Sequence, residues 1–396
     1  MPVKRLEGIA GFGIDRVARA AADDPDVLRL ENLDTDLRPP AAAIAATRAA
    51  LDDDDANSYL PFVGKRSLRQ AIAETVSARA GHAVDADRNV VVTAGGTQAL
   101  YSALLATTDP GDEVLLTDPT YAGISHRVRL AGAVPRHVPF HAVGGEWRLD
   151  LAALAAAASP RTRAMVVVCP DMPSGALLRD DEWAAIARLA VDRDLWLLYD
   201  AVFEGIVYDG RSSIHPASLP GMAERVITIG SVSKIHRMIG WRIGWIVGPE
   251  AVMDGAAWTS AYVNVTPGGF AQAGAEAALR APPDDVAAAV AEWQRRRDAV
   301  LDELRGWPVV PPAGGWSLLI DTASFGVPPA RASELLLAEA RIAATPMTGW
   351  AGPVADRHLR FVYSNEPVDR LRTIGERIRG TELDRLRLAA RSGPTG

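Results

Sequence analysis

A mostly parallel α/β sheet flanked by helices, with a second, smaller α+β unit beside it, is the fold class this sequence predicts. Three observations predict it. Short β-branched runs alternate with helical patterns from Asn89 to Pro249, several of those runs are apolar on both parities, and the alternation stops at Ala281-Pro282-Pro283-Asp284-Asp285. Repeated strand–helix–strand order builds parallel sheets, because a parallel neighbour is reached only through a crossover. Met165–Cys169 and Trp196–Tyr199 have no polar face, as strands covered on both sides require. At 396 residues the chain also exceeds what one ordinary core serves.

Residues 1–45 read as irregular and are expected to pack with the smaller unit, and a helix starts near Ala41. The acidic run Asp52–Asp55 reads as a solvated turn. Seven strands are then expected: Asn89–Thr93, Glu113–Asp118, Val134–Phe140, Thr162–Cys169, Asp194–Asp200, Arg225–Ser231 and Gly244–Gly248. Thr97–Ala106 and Asp181–Asp192 carry apolar residues at three- and four-residue spacing and read as helices between them. Asp109-Pro110-Gly111 and Tyr208-Asp209-Gly210 are turn punctuation. Past the break come a long helix at Val286–Leu304, strands at Trp316–Asp321 and His358–Tyr363, and a helix between them at Arg331–Glu339. The expected boundaries are 46–285 for the large unit, with 1–45 and 286–396 forming the small one.

Composition narrows the function classes. A formal charge of −7 and a pI near 5.6 give no basic footprint for nucleic acid. The single cysteine, Cys169, lies among Met165, Val166, Val167 and Val168, which suits a structural residue in a reducing compartment. Met1–Arg5 lead into Leu6 without an apolar core segment, and no stretch approaches the ~18 apolar residues of a membrane span. The expected location is cytoplasmic. Gly8, Gly11 and Gly13 lack both the spacing and the preceding strand of a dinucleotide fingerprint. His126, His215 and His236 read as structural, and no metal-ligand spacing occurs.

Of 42 basic residues only Lys4, Lys65 and Lys234 are lysines. Arginine can share surface charge with lysine, but its permanently protonated guanidinium cannot form a Schiff base. Lys234 sits at a strand end in Ser231-Val232-Ser233-Lys234-Ile235-His236-Arg237-Met238-Ile239-Gly240-Trp241-Arg242-Ile243-Gly244, where an amine, two hydroxyls and a guanidinium cluster. A second strand end carries Ala94-Gly95-Gly96-Thr97-Gln98 before a helix. Glycines there let backbone N–H groups approach an anion, and the helix N-terminus favours negative charge.

The Lys234 string closely resembles the lysine signature of the class I/II aminotransferases, which implies an aspartate-aminotransferase-like, fold type I enzyme using pyridoxal 5′-phosphate. The resemblance covers nearly the whole chain. It implies that Lys234 holds the cofactor as a Schiff base and acts as proton carrier, while Asp200 pairs with the pyridine nitrogen. Asp200 ends Leu197-Leu198-Tyr199-Asp200, and an ionised carboxylate there keeps the ring protonated as an electron sink. Gly95, Gly96 and Thr97 match the family's phosphate cup, with Ser231, Ser233 and Arg242 as further donors. Tyr121 matches the aromatic residue that stacks on the ring, and Val202 the small apolar residue on its other face. Tyr59, in Asn57-Ser58-Tyr59-Leu60-Pro61, matches a tyrosine that reaches the neighbour's phosphate in a homodimer. Arg360, in Leu359-Arg360-Phe361, matches the arginine that clamps the substrate carboxylate. Asn32 is expected to contact substrate within Arg29–Arg38, one of three loops expected to set specificity with Val263–Phe270 and Thr345–Trp350. The implied reaction moves an amino group from an amino acid to a 2-oxo acid in amino acid metabolism, as part of a biosynthetic process.

Two departures concern one cofactor atom. The family's Asn-Pro-x-Asn-Pro-Thr-Gly is here Cys169-Pro170-Asp171-Met172-Pro173-Ser174-Gly175, and its tyrosine three residues after the aspartate is Phe203. Both usual donors to the 3′-oxygen are therefore replaced. Such donors weaken that oxygen's grip on the Schiff-base proton, so the proton is expected to stay on to higher pH than is usual in the family. A pH titration of the visible band checks this; an ordinary, low transition contradicts it. The same pair suits an alternative, a lyase, cyclase or oxidative deaminase on the same fold. A regulatory DNA-binding role is disfavoured, because it needs a basic domain of its own ahead of this region.

Overall fold

The computed structural model describes residues 3, 6–9, 13–21 and 24–391. Met1–Pro2, Lys4, Arg5 and Gly11, which entered the leader, lysine and glycine-spacing arguments, lie outside the described residues. Thirteen strands are numbered in chain order. They are β1 (Leu28–Arg29), β2 (Val90–Thr93), β3 (Glu113–Asp118), β4 (Val134–Val143), β5 (Glu146–Leu149), β6 (Thr162–Val168) and β7 (Trp196–Asp200), then β8 (Val226–Ser231), β9 (Gly244–Val247), β10 (Ser317–Asp321), β11 (Ile342–Ala343), β12 (Thr345–Pro346) and β13 (His358–Val362).

The large sheet runs β2-β9-β8-β7-β6-β3-β4-β5. Pairs β8–β7, β7–β6, β6–β3 and β3–β4 are parallel, while β2, β9 and β5 join antiparallel. All seven expected strands are there, and the eighth is β5. It arises because β4 continues past Phe140 to Val143 and turns back through Gly144-Gly145, both at positive φ. Val166 and Val168 pack into one core cluster, Met165 and Val167 into another. That is the two-sided burial their unbroken apolar run required.

Helices Gly96–Thr107 and Asp180–Asp192 follow the expected spans within two residues. Asp52–Asp55 form an exposed turn. Past the break, helix Asp284–Glu303 leads into an antiparallel sheet ordered β10-β13-β12. The N-terminal stretch is less irregular than expected. It holds helix Gly13–Ala21, and β1 pairs parallel with β11. The Val362 amide then donates to the Leu30 carbonyl at 2.9 Å, carrying the chain onto β13. Two ties fix the next residues: Arg296 pairs with Asp36 at 2.6 Å, and Arg237 Nε donates to the Arg38 carbonyl at 2.8 Å. No helix of the described residues is long and apolar enough to cross a membrane.

Candidate active site

The carboxyl ends of β6, β7 and β8 lie side by side, with Val168 opposite Asp200 and Asp200 opposite Ile229. Ligands bind at such ends in α/β sheets, where the loops diverge. A cavity of about 300 Å³ opens there. Its lining includes Lys234, Asp200, Tyr121, Gly96, Thr97, Met172, Val202, Phe203, Ser231, Ser233, Arg242, Arg360 and Asn32. Residues spread from position 32 to position 360 thus meet around one space.

At one end, Gly95 caps helix Gly96–Thr107 with φ +82°, leaving the first-turn N–H groups free of intrahelical partners. A Cβ on Gly95 would fall 2.6 Å from an Arg242 nitrogen. A Cβ on Gly244 would fall 2.4 Å from the Gly95 carbonyl carbon, so β9 presses directly on this turn. Ser231 Oγ lies 2.7 Å from Ser233 Oγ and accepts from the Ser233 amide at 2.9 Å. Arg242 reaches the same cluster, 3.5 Å from Ser233 Oγ. Backbone N–H groups, hydroxyls and a guanidinium so arranged form an anion cradle.

At the centre, Lys234 Nζ donates to the Leu33 carbonyl at 2.8 Å and lies 4.9 Å from the centre of the Trp316 ring. Burial depresses its basicity to about pH 8; Arg242 and Arg360 push the same way, while Asp34 and Asp200 oppose. Asp200 accepts from the Val202 amide at 3.2 Å. Burial raises its carboxyl to about 6, against the pull of that amide, Arg127 and Lys234. Arg360 is fully buried on the central strand β13, between Leu319 and Thr345. One nitrogen donates to the Glu31 carbonyl at 2.5 Å, another lies 3.8 Å from Met172 Sδ, and its carbon stands 4.8 Å over the Trp350 ring. Among the described residues Nε has no partner, and no carboxylate pairs with this guanidinium. A buried, half-satisfied guanidinium in a cavity wall is costly unless a ligand completes it.

The family "Aminotransferase class I and II" matches residues 26–378. The chain belongs to the class I and II aminotransferases. Like the family it depends on pyridoxal phosphate and transfers amino groups. It is 36% identical over 374 residues to an arginine–pyruvate transaminase of Pseudomonas aeruginosa, covering 91% of this chain and 92% of that one. The structure of N-succinyldiaminopimelate aminotransferase from Mycobacterium tuberculosis superposes with a TM-score of 0.88 at 32% identity, covering 96% and 99% of the two chains. Aspartate aminotransferase from Thermus thermophilus with maleate gives 0.87 at 31% identity, covering 95% and 98%.

The residues present fit the cofactor of this aminotransferase. The cradle suits a phosphate, a depressed amine suits an aldehyde, and the Asp200 carboxyl lines the same cavity. Gly95 lies just behind the lining, against Arg242. Tyr59 is apart from the cavity, 84% exposed, beside Phe270 in a separate depression. Met172 and Phe203 are 5% and 2% exposed and form an apolar wall, with Phe203 edge-on to Trp316 at 5.7 Å. Cys169 is fully buried and its thiol is pushed up to about 12, so it is inert. His215 bonds the Ala217 amide and Thr228, as a structural histidine does.

Three participants escaped the sequence reading of this aminotransferase. Arg127 lines the cavity, donates to the Gly123 carbonyl at 2.5 Å and hydrogen-bonds Tyr121, with Asp200 in electrostatic reach. It stands six residues after Tyr121 on helix Ala122–Leu130, yet nothing separates it from the chain's other arginines. The Leu33 carbonyl is main chain and carries no side-chain signal. Trp316 follows Gly314-Gly315, which reads as a turn rather than as the wall behind an amine.

Proposed function

We propose that this aminotransferase moves an amino group from an amino acid to a 2-oxo acid, with Lys234 holding the cofactor aldehyde covalently. The observation that carries this is the meeting, in one cavity, of a depressed lysine, a half-buried aspartate and a buried arginine without an anionic partner. When bound, pyridoxal phosphate supplies an aldehyde for the amine and a ring that absorbs the electron pair released at the substrate Cα. Gly95, Gly96, Thr97, Ser231, Ser233 and Arg242 would anchor its phosphate. Asp200 would hold a proton on its ring nitrogen. Tyr121 and Val202 would pack against the two faces of its ring, and Arg127 would steady Tyr121 and Asp200. Arg360, with Asn32 beside it, orients the substrate carboxylate. Lys234 Nζ would serve as the base that takes the proton from the substrate Cα and as the acid that returns it.

The two units, 46–285 and 1–45 with 286–396, belong to the same proposal, with Arg360 supplied by the second. So does a homodimer in which Tyr59 reaches the neighbour's phosphate, which the exposure of Tyr59, Phe62, Tyr262 and Phe270 supports. The alternative outcome, elimination, cyclisation or oxidative deamination, is favoured by one observation, the apolar wall of Met172 and Phe203.

A screen of amino donors against several 2-oxo acids, followed by absorbance, tests the reading. Stoichiometric exchange of amino for keto product supports it; ammonia, peroxide or an alkene without an acceptor overturns it in favour of the alternative. In the same assay Arg360→Gln is expected to lower kcat/KM for donor and acceptor alike by about 10²-fold, since charged hydrogen bonds are each worth ~1.5–3 kcal/mol.

A further inference from the structure

We propose that Arg127 sets its charge against the 3′-oxygen of the cofactor, in place of the two donors that Met172 and Phe203 replace. The inference rests on the reading of the cavity given above and deepens it.

The charged groups that line the cavity are Arg127, Asp200, Lys234, Arg242 and Arg360, with the Tyr121 phenol among them. Four basic groups thus face one carboxylate. Pyridoxal phosphate brings a phosphate, an aldehyde, a ring nitrogen and a phenolic 3′-oxygen, and the donor brings a carboxylate. In the reading above, Arg242 meets the phosphate, Lys234 the aldehyde, Asp200 the ring nitrogen and Arg360 the carboxylate. One cation and one anionic oxygen are left, Arg127 and the 3′-oxygen. Met172 and Phe203 offer that oxygen only an apolar wall. The Ser231 and Ser233 hydroxyls are committed to the cradle, 2.7 Å from each other and with Arg242 3.5 Å from Ser233 Oγ.

The place of Arg127 is sterically fixed. One of its terminal nitrogens donates to the Gly123 carbonyl at 2.5 Å, folding the side chain back over the first turn of helix Ala122–Leu130. A Cβ on Gly123 would fall 2.6 Å from that nitrogen, and 2.4 Å and 2.7 Å from Tyr121 Cε1 and Cζ. Glycine there lets guanidinium and phenol lie together. A guanidinium only donates, so in its hydrogen bond with Tyr121 the phenol oxygen accepts. Trp350 lies edge-on to the same Tyr121 ring at 5.9 Å, Arg360 stands 4.8 Å over Trp350, and Arg360 lies 3.8 Å from Met172 Sδ. Asp200 is in electrostatic reach of Arg127, yet among the described residues no carboxylate forms an ion pair with it. On the pyridine ring the nitrogen and the carbon bearing the 3′-oxygen are separated by a single carbon. A cation in reach of the nitrogen's partner is therefore in reach of that oxygen.

A cation there lets the 3′-oxygen stay negative without the Schiff-base proton, and so lowers the pH at which that proton leaves. The upward shift expected from Met172 and Phe203 is then partly offset. The test is a pH titration of the visible band of holoenzyme without substrate. Arg127→Met is expected to move the transition up by about 1–2 pH units, the size of a neighbouring charge's effect. Arg127→Gln, which can still bond the Gly123 carbonyl and the phenol, should move it up by about one unit. Arg127→Lys keeps the charge and should stay within about half a unit of wild type. Phe203→Tyr returns one usual donor; it should lower the transition more in Arg127→Met than in the wild-type background, because both groups serve one oxygen. A transition unmoved in both neutral variants, or equal lowering by Phe203→Tyr in the two backgrounds, overturns the inference. The two readings fail separately. A band that titrates without regard to Arg127 sinks this inference alone. Cofactor held with no Schiff-base band at any pH removes the role of Lys234, and this inference with it.

Discussion

Lys234→Ala is expected to lower amino transfer by about 10⁴-fold or more, because one substitution removes both a covalent attachment point and a positioned acid–base group. Among the described residues no other lysine lines the cavity. Lys65 is exposed at the start of helix Arg66–Ala80, far along the chain from the cavity lining. Borohydride treatment of the loaded wild-type protein should leave reduced cofactor on the peptide containing Lys234, and the variant should carry none. Label found on Lys65 instead would remove Lys234 from its role. The pH dependence follows from the same amine. Its pKa is pushed down to about 8, chiefly by burial, and only the neutral amine attacks an aldehyde. Capture of added cofactor by the apoprotein should therefore quicken about tenfold per pH unit below 8 and level off above it.

Asp200→Asn is expected to cost on the order of 10³-fold in amino transfer, the scale on which a preorganised charge acts on developing charge. An amide cannot hold the ring nitrogen's proton by charge. The apoprotein should respond in the opposite sense. Burial raises the Asp200 carboxyl to about 6, above the ordinary value of about 3.9. Between those two values the unfolded chain gives up its proton while the folded one keeps it, so stability falls as pH rises through that window. Above about pH 6 the wild-type apoprotein carries the cost of an ionised, partly desolvated carboxylate, and the variant does not. Melting curves should show the Asn apoprotein more stable at pH 7–8, with the difference vanishing below about pH 4. A variant that loses activity and stability together would assign Asp200 a merely structural role.

Much of this was legible in the sequence, for physical reasons that vary by residue. Met165–Cys169 had to be a doubly covered strand because it offers no polar face, and β6 is one. Lys234 stood out because arginine elsewhere took over every duty that arginine can perform. Asp200 and Arg360 were found through the Lys234 string rather than from their own surroundings, since a strand-end carboxylate and a strand arginine are commonplace. Helix Gly13–Ala21 was missed because its apolar face is short and the stretch before it is glycine-rich. β5 was missed because four residues, Glu146–Leu149, hold only two apolar positions. Arg127 was hidden by its own abundance as a residue type. Long-range convergence, such as Leu33 beside Lys234, has no local signal at all.

The grip of Glu31 and Leu33 on the two cations has an evolutionary corollary. Both contacts are made by peptide oxygens, which every amino acid brings along. Codon changes in this stretch can thus rewrite side chains, at Asn32 above all, without loosening either anchor. Preference for a new donor can drift by point substitution while the reactive amine stays moored; only an inserted or deleted residue would cast it off.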